Sequence, residues 1–232
     1  MKYRNALIIV ILVILADQAV KFFVKTHFIN GDEVTMAGHW AKLHFIENEG
    51  MAYGLKLGFL GETGGKILLT LFRLVAVIFG FFLLKRICRE RYEKVLILCG
   101  ALILAGALGN LLDSLFYGLI FTDSPASCFA GYYDSFKAMA SGHDANMVAH
   151  LTPFGKGYGK FMQGRVVDMF YFPIVEIRRM PDAIPFLGGK QFVFFEPVFN
   201  VADAAISVGV MILLARLYVV GDKAKLKAAP NT

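Results

Sequence analysis

The sequence predicts a membrane α-helical fold, four transmembrane helices with a small extracytoplasmic β-rich platform, and three observations predict it. Of 232 residues, 57% are apolar and only 18% are charged, whereas a water-soluble globule carries about a quarter charged residues; mean hydropathy is +0.59. The apolar residues gather into runs of about 18 or more, each long enough to cross a hydrocarbon core of roughly 30 Å. The Lys and Arg residues behind the net charge of +6 sit beside those runs. They form no basic face with interleaved aromatics, so the basicity reports membrane topology and no nucleic-acid partner is expected.

The first span covers residues 6–24 and follows Lys2 and Arg4. It looks like a secretory signal, but no A-x-A cleavage site follows, and Asp17, Gln18 and Lys21 interrupt its second half, so a retained anchor is expected. The second span covers 67–84 and contains Arg73, the third covers 95–117 and the fourth 198–220. In the third, Ala101, Ala105 and Gly109 recur every four residues, the spacing that lets helix backbones approach. An even number of spans places both termini on one side. Lys85, Arg86, Arg89, Arg91 and Lys94 in the short hairpin, with Lys223, Lys225 and Lys227 in the tail, mark that side as cytoplasmic. The connections 26–66 and 118–197 then lie outside. Residues 40–54 partly alternate, and 166–177 and 191–199 are aromatic and β-branched, which supplies the platform. Residues 122–164, polar and containing Gly and Ser, read as an inserted, mobile loop. The whole reads as one integral membrane domain.

Charged groups inside spans cost about 2.5–3.5 kcal/mol each on insertion scales, so each needs a reason. Asp17, Arg73, Asn110, Asp113, Asn200 and Asp203 share a depth, in the outer parts of their spans. At a rise of about 1.5 Å per residue, Asp203 lies roughly two turns from the outer interface. A packing network explains any one of these residues; their convergence favours a site. The spans hold no Ser/His or Cys/His pair and no H-E-x-x-H. Cys88, Cys99 and Cys128 form no C-x-x-C, and the five histidines show no ligand spacing, so neither a metal nor an organic cofactor is expected. Carboxylate chemistry remains. Two carboxylates close together in a low-dielectric site share a proton, and such a pair activates water while donating to a carbonyl. Spacing alone leaves open which two aspartates meet. A proton- or ion-coupled transporter would need polar residues at several depths, yet 77–84 and 95–105 carry no charge and no inverted repeat is present. A non-enzymatic scaffold built around 118–197 stays open on composition.

Particular strings then matter. Asp17-Gln18 with Lys21, Asn48-Glu49-Gly50-Met51-Ala52-Tyr53-Gly54, Gly106-Ala107-Leu108-Gly109-Asn110-Leu111-Leu112-Asp113, Val166-Val167-Asp168-Met169-Phe170 and Phe199-Asn200-Val201-Ala202-Asp203 follow one another along the chain. Together, and in this order, they resemble the lipoprotein signal peptidase family, the bacterial signal peptidase II. The resemblance implies an aspartic endopeptidase of the bacterial inner membrane that removes the signal peptide from diacylglyceryl-modified prolipoproteins, cutting before the lipid-bearing Cys. Its partners would be lipidated prolipoproteins, membrane lipid and cyclic peptide inhibitors such as globomycin, and its active site would lie near the outer face. By position in the motifs, the resemblance implies that Asp168 and Asp203 would be the catalytic pair. Asp17, Lys21, Asn48, Gly50, Gly54, Asn110, Asp113 and Asn200 would be the substrate-binding or supporting residues. Gly50, Ala52 and Gly54 would keep a loop thin enough to close over the peptide. Two departures stand out. Many members carry Arg after the Asp of the Gly-Asn motif, where this chain has Ser114, so Arg165 or Arg73 is the candidate compensating cation. Compact members also lack the 122–164 segment.

Overall fold

A computed structural model describes residues 1–49, 61–124, 148–177, 181, 189 and 192–228. The order of its main elements is α1 (Tyr3–His27), β1 (Glu33–Ala37), β2 (Ala41–Asn48), α2 (Gly61–Arg89), α3 (Lys94–Leu112), a π-helical turn (Asp113–Tyr117), α4 (Gly118–Ile120), β3 (Val166–Tyr171), β4 (Val175–Ile177), β5 (Phe192–Phe194), β6 (Val198–Phe199) and α5 (Val201–Ala228). Among the described residues four helical stretches are long and apolar enough to cross a membrane: Tyr3–His27, Thr63–Arg89, Lys94–Ile120 and Val201–Tyr218. With the small antiparallel sheet below, they bear out the expected fold class.

The chain forms two compact units. One contains Met1–Ala19, Ile67–Leu112 and Val201–Thr232, and its elements among the described residues are all helices. Small residues set its packing. A side chain on Gly106 would overlap the Ala202 carbonyl oxygen, and one on Gly209 would meet Ile103 and the Cys99 carbonyl, so α3 and α5 touch backbone to backbone. Ala101 and Ala105 are buried as their spacing suggests, but the closest approach to α5 falls one residue further on, at Gly106. Gly80 and Gly100 admit Leu104, Leu84 and Ile87 between α2 and α3. The outward stripe of α2, Phe72, Val75, Phe79 and Phe82, is strongly exposed, and its three- and four-residue spacing makes one continuous apolar face suited to lipid.

The second unit contains Val20–Lys66 and Asp113–Asn200. Its sheet has the order β1-β2-β3-β6, all neighbours antiparallel, and β4 and β5 pair separately. The β2–β3 register is Lys42↔Tyr171 and Leu43↔Phe170, then Ile46↔Asp168, Glu47↔Val167 and Asn48↔Val166. Two residues of β2, His44 and Phe45, therefore stand opposite Met169, a bulge beside Asp168. Phe45, Val167 and Met169 bury against Val24 of α1, Tyr117 and Phe121. Phe22, Tyr117 and Phe121 meet edge to face at centroid distances of 5.0–5.6 Å.

The segment read as a mobile insertion proves ordered at its described end. Residues 148–164 return to the end of the third apolar helix and satisfy carbonyls that a helix terminus leaves without partners. Gly164 and Met162 donate to Ser114 and Leu115 of the π-helical turn at 2.9 and 3.3 Å. Gly159 donates to Gly118, Gly155 and Gly157 to Leu119, Thr152 to Ile120 and Tyr158 to Phe121, at 2.8–3.2 Å. Gly157 and Gly164 lie so close to the backbone of 113–121 that a Cβ on either would collide with a carbonyl oxygen.

Candidate active site

The four aspartates singled out in the sequence have four different settings. Asp17, fully buried, accepts a hydrogen bond at 2.9 Å from the backbone N–H of Ala202 and another at 3.1 Å from Gln18 Nε2. Ala202 is the second residue of α5, so Asp17 serves one of the free donors at that helix start, where the dipole also favours negative charge. Gly109 makes room for it, since a Cβ there would stand 2.8 Å from the Asp17 carboxylate. Asp113, also fully buried, forms an ion pair with Lys21 Nζ at 2.8 Å and accepts the Val167 N–H at 3.4 Å.

Asp168 lies on β3 and is 4% exposed. Its Oδ1 accepts from Asn200 Nδ2 at 2.7 Å and its Oδ2 from Asn48 Nδ2 at 3.4 Å. Asn200 spends a second donation on the Val167 carbonyl at 3.2 Å; the two N–H groups of one amide thus fix it against the strand that carries Asp168. Asp203 lies in the first turn of α5, partly exposed, and accepts from Asn110 Nδ2 at 2.7 Å. The aspartates of α1 and the π-helical turn are thus engaged by a helix start with Gln18 and by an ammonium, and those of β3 and α5 by asparagine amides.

Aromatic side chains flank Asp168. Phe170 lies two residues along β3, on the same face. Its ring lies 5.9 Å from Phe199, which meets Phe172 at 5.5 Å and Phe195 at 6.1 Å, and Trp40 lies 5.9 Å from Phe172. Trp40 and Phe195 are exposed.

The pattern of the peptidase family described as Signal peptidase (SPase) II matches residues 9–219. The chain belongs to this family. Its relatives include the lipoprotein signal peptidase of Porphyromonas gingivalis (strain ATCC 33277), 42% identical over 214 residues that cover 92% of this chain and 81% of that one. Another is the lipoprotein signal peptidase of Amoebophilus asiaticus (strain 5a2), 32% identical over 209 residues, 89% of this chain and 74% of that one. A solved structure described as a bacterial membrane enzyme obtained by the in meso method at 2.3 Å resolution shares the fold, with a TM-score of 0.52 at 18% identity, covering 98% of this chain and 93% of that one. Membership makes the chain a protease and, with its four apolar helices, a multi-pass bacterial membrane protein; the transport and scaffold readings gain no support.

The remaining residues expected at the site of this family member fall as follows. Lys21 supplies the ammonium beside Asp113, next to Ser114, which is itself buried. Arg165 binds Glu47, Glu49 and Asp123 at 3.0, 3.1 and 2.6 Å. Arg73 lies on α2, in the helical unit. Gly50 and Gly54, with Ala52 between them, lie outside the described residues. Sequence reasoning missed a charge network in which Lys25, fully buried, pairs with Glu47 and donates to Ser124 Oγ at 2.9 Å, while Lys66 pairs with Glu49. A signal for it was present: Asp17, Lys21 and Lys25 recur every four residues, one polar stripe on an apolar helix. Burial works against the charge of Arg165, but Glu47 and then Asp123 outweigh it and hold the guanidinium above its ordinary range. Burial, and then Glu47, push the Tyr158 phenol up; this hydroxyl accepts the Arg165 N–H at 2.6 Å.

Proposed function

We propose that the chain cleaves the signal peptide from lipid-modified prolipoproteins as an aspartyl endopeptidase, with Asp168 and Asp203 acting together on a water molecule. The observation that carries this reading is that Asp168 and Asp203 are each held by asparagine amides, Asp168 by Asn200 and Asn48 and Asp203 by Asn110, whereas Asp113 pairs with Lys21 and Asp17 is tied to the start of α5 and to Gln18. An asparagine amide orients a carboxylate without placing a full positive charge beside it, which suits a group that must gain and lose a proton. Asn200, which holds Asp168, precedes Asp203 by three residues.

In the proposed cycle one carboxylate takes a proton from water as the oxygen adds to the scissile carbonyl, and the protonated partner donates to the carbonyl oxygen. The first carboxyl then gives its proton to the amide nitrogen while its ionised partner takes one from a gem-diol hydroxyl, so that the C–N bond breaks, the acid forms, the lipidated cysteine is freed as a new N-terminus and the pair regains its starting charge. The aromatic group of Phe170, Phe172, Phe195, Phe199 and Trp40 offers apolar surface beside Asp168 for a substrate carrying acyl chains. A cyclic peptide inhibitor such as globomycin would compete for the same place. The basic hairpin and tail support an orientation with both termini in the cytoplasm and the connections 26–66 and 118–197 outside.

The test is cleavage of a diacylglyceryl-modified lipobox peptide by purified protein in detergent, with an unlipidated peptide as control. Asp168→Asn and Asp203→Asn should each abolish cleavage while the protein still inserts and unfolds at the parent's temperature. Cleavage retained in either variant would remove that residue from the catalytic pair. Because the pair works with one proton between its two members, the parent's rate should pass through a maximum with pH.

A further inference from the structure

We propose that Arg165 is a positioning residue for the Asp168 carboxylate, acting from the reverse face of the sheet through the end of β2. The proposal rests on the catalytic assignment of Asp168 made above.

Side chains alternate faces along a strand. The register Ile46↔Asp168, Glu47↔Val167 and Asn48↔Val166 puts Asn48, Ile46, Val166 and Asp168 on one face. Glu47, Val167 and Met169 take the other, with Phe45 packed among them in the core. Arg165 belongs to this second face and works at its edge. Its Nη1 donates to Glu47 Oε2 at 3.0 Å and to Asp123 Oδ1 at 2.6 Å, and its Nε donates to Glu49 Oε1 at 3.1 Å. The guanidinium lies 4.8 Å from the Tyr158 ring centroid, and the backbone N–H of Arg165 donates to the Tyr158 hydroxyl. Glu47 is gripped a second time by Lys25 and Glu49 by Lys66. Among the described residues, three cations, Lys25, Lys66 and Arg165, therefore face three carboxylates, Glu47, Glu49 and Asp123.

Asn48 lies between the two glutamates that one guanidinium holds, and it points the other way. Its amide reaches Asp168 at 3.4 Å, beyond the usual N–H···O range of about 2.7–3.2 Å. A slip of a few tenths of an ångström at the end of β2 would break that contact, whereas the Asn200 contact at 2.7 Å comes from the residue after β6, a strand that pairs with β3 and not with β2. The clamp on residues 47 and 49 thus decides whether Asp168 keeps its second amide. Arginine suits the task because its planar fork reaches several carboxylates in fixed geometry; lysine offers one compact ammonium.

The experiment is a double-mutant cycle between Arg165→Ala and Asn48→Ala, read as kcat and KM on the lipidated peptide in detergent, with Arg165→Lys and Asp168→Asn alongside. If Arg165 acts through Asn48, each single variant lowers kcat about tenfold with KM unchanged, and the double variant is also lowered about tenfold. Arg165→Lys should recover only part of the loss. A double variant lowered about a hundredfold, the product of the singles, would overturn the proposal, as would Arg165→Ala with the parent's kcat. Should Arg165→Ala fail to fold, the same cycle with Glu49→Gln decides, because that exposed side chain carries one arm of the clamp. Activity in Asp168→Asn would sink the catalytic assignment itself. Inactivity there together with multiplying losses in the cycle would sink only the role of Arg165.

Discussion

Lys21 and Asp113 show what a single buried pair demands. Both side chains are sealed from solvent at 2.8 Å, and removing one partner leaves the other charge without its counterion. Lys21→Met should therefore destabilise the protein by about 3–5 kcal/mol, and Lys21→Met with Asp113→Leu should recover much of that loss. Thermal unfolding in detergent measures both; equal melting temperatures for the single and double variants would count against the pairing. At this scale the sequence was informative about chemistry and silent about partners. The motifs named Asp17, Asp113, Asp168 and Asp203, but the groups that distinguish them, Ala202, Lys21, Asn200 and Asn110, lie up to 185 residues away. Such pairings follow from tertiary packing, which local spacing does not encode. Lys25 escaped notice because its partners Glu47 and Ser124 lie in the connections on either side of α2 and α3.

Among the elements, apolar runs announced the helices because a span must satisfy its backbone internally and show lipid a continuous apolar surface. The cap formed by residues 148–164 was illegible for the opposite reason. Its bonds are donated by backbone N–H groups, which carry no side-chain signature, so a polar, glycine-containing stretch read as mobile. Its glycines were the clue, since Gly157 and Gly164 sit where a side chain would strike a carbonyl. Gly164→Ala should cost about 1–3 kcal/mol, in line with overpacking elsewhere. Its effect should appear as faster proteolysis within 148–164 at temperatures where α1 and α2 remain intact. Gly106→Ala makes a parallel case on α3, where the added methyl must push against the Ala202 carbonyl at the start of α5. That variant should lower the unfolding temperature by a comparable amount; an unchanged temperature would mean that the two helices have room to separate.

For the molecule as a whole, charge placement predicts topology. With Cys88, Cys99 and Cys128 replaced by Ser, a cysteine introduced for Glu90 should react with an impermeant maleimide only after the inner membrane is opened. One introduced for Lys156 should react in intact spheroplasts. Labelling in the reverse order would invert the proposed orientation. The four-span architecture and the small sheet were legible because composition and alternation report the solvent each face meets. The two-unit division was not, since it cuts through α1 and follows the exit of α3 rather than any linker. That exit contains the π-helical turn Asp113–Tyr117. A π turn amounts to one extra residue in an α-helix, taken up locally in a wider turn. Gly118 and Phe121 therefore keep about the phase of an unbroken helix, while the carbonyls of Ser114 and Leu115 within the turn accept from Gly164 and Met162. The extra residue opens acceptors rather than turning the helix, and a frame of five residues fixes where the rest of the polypeptide re-enters the fold.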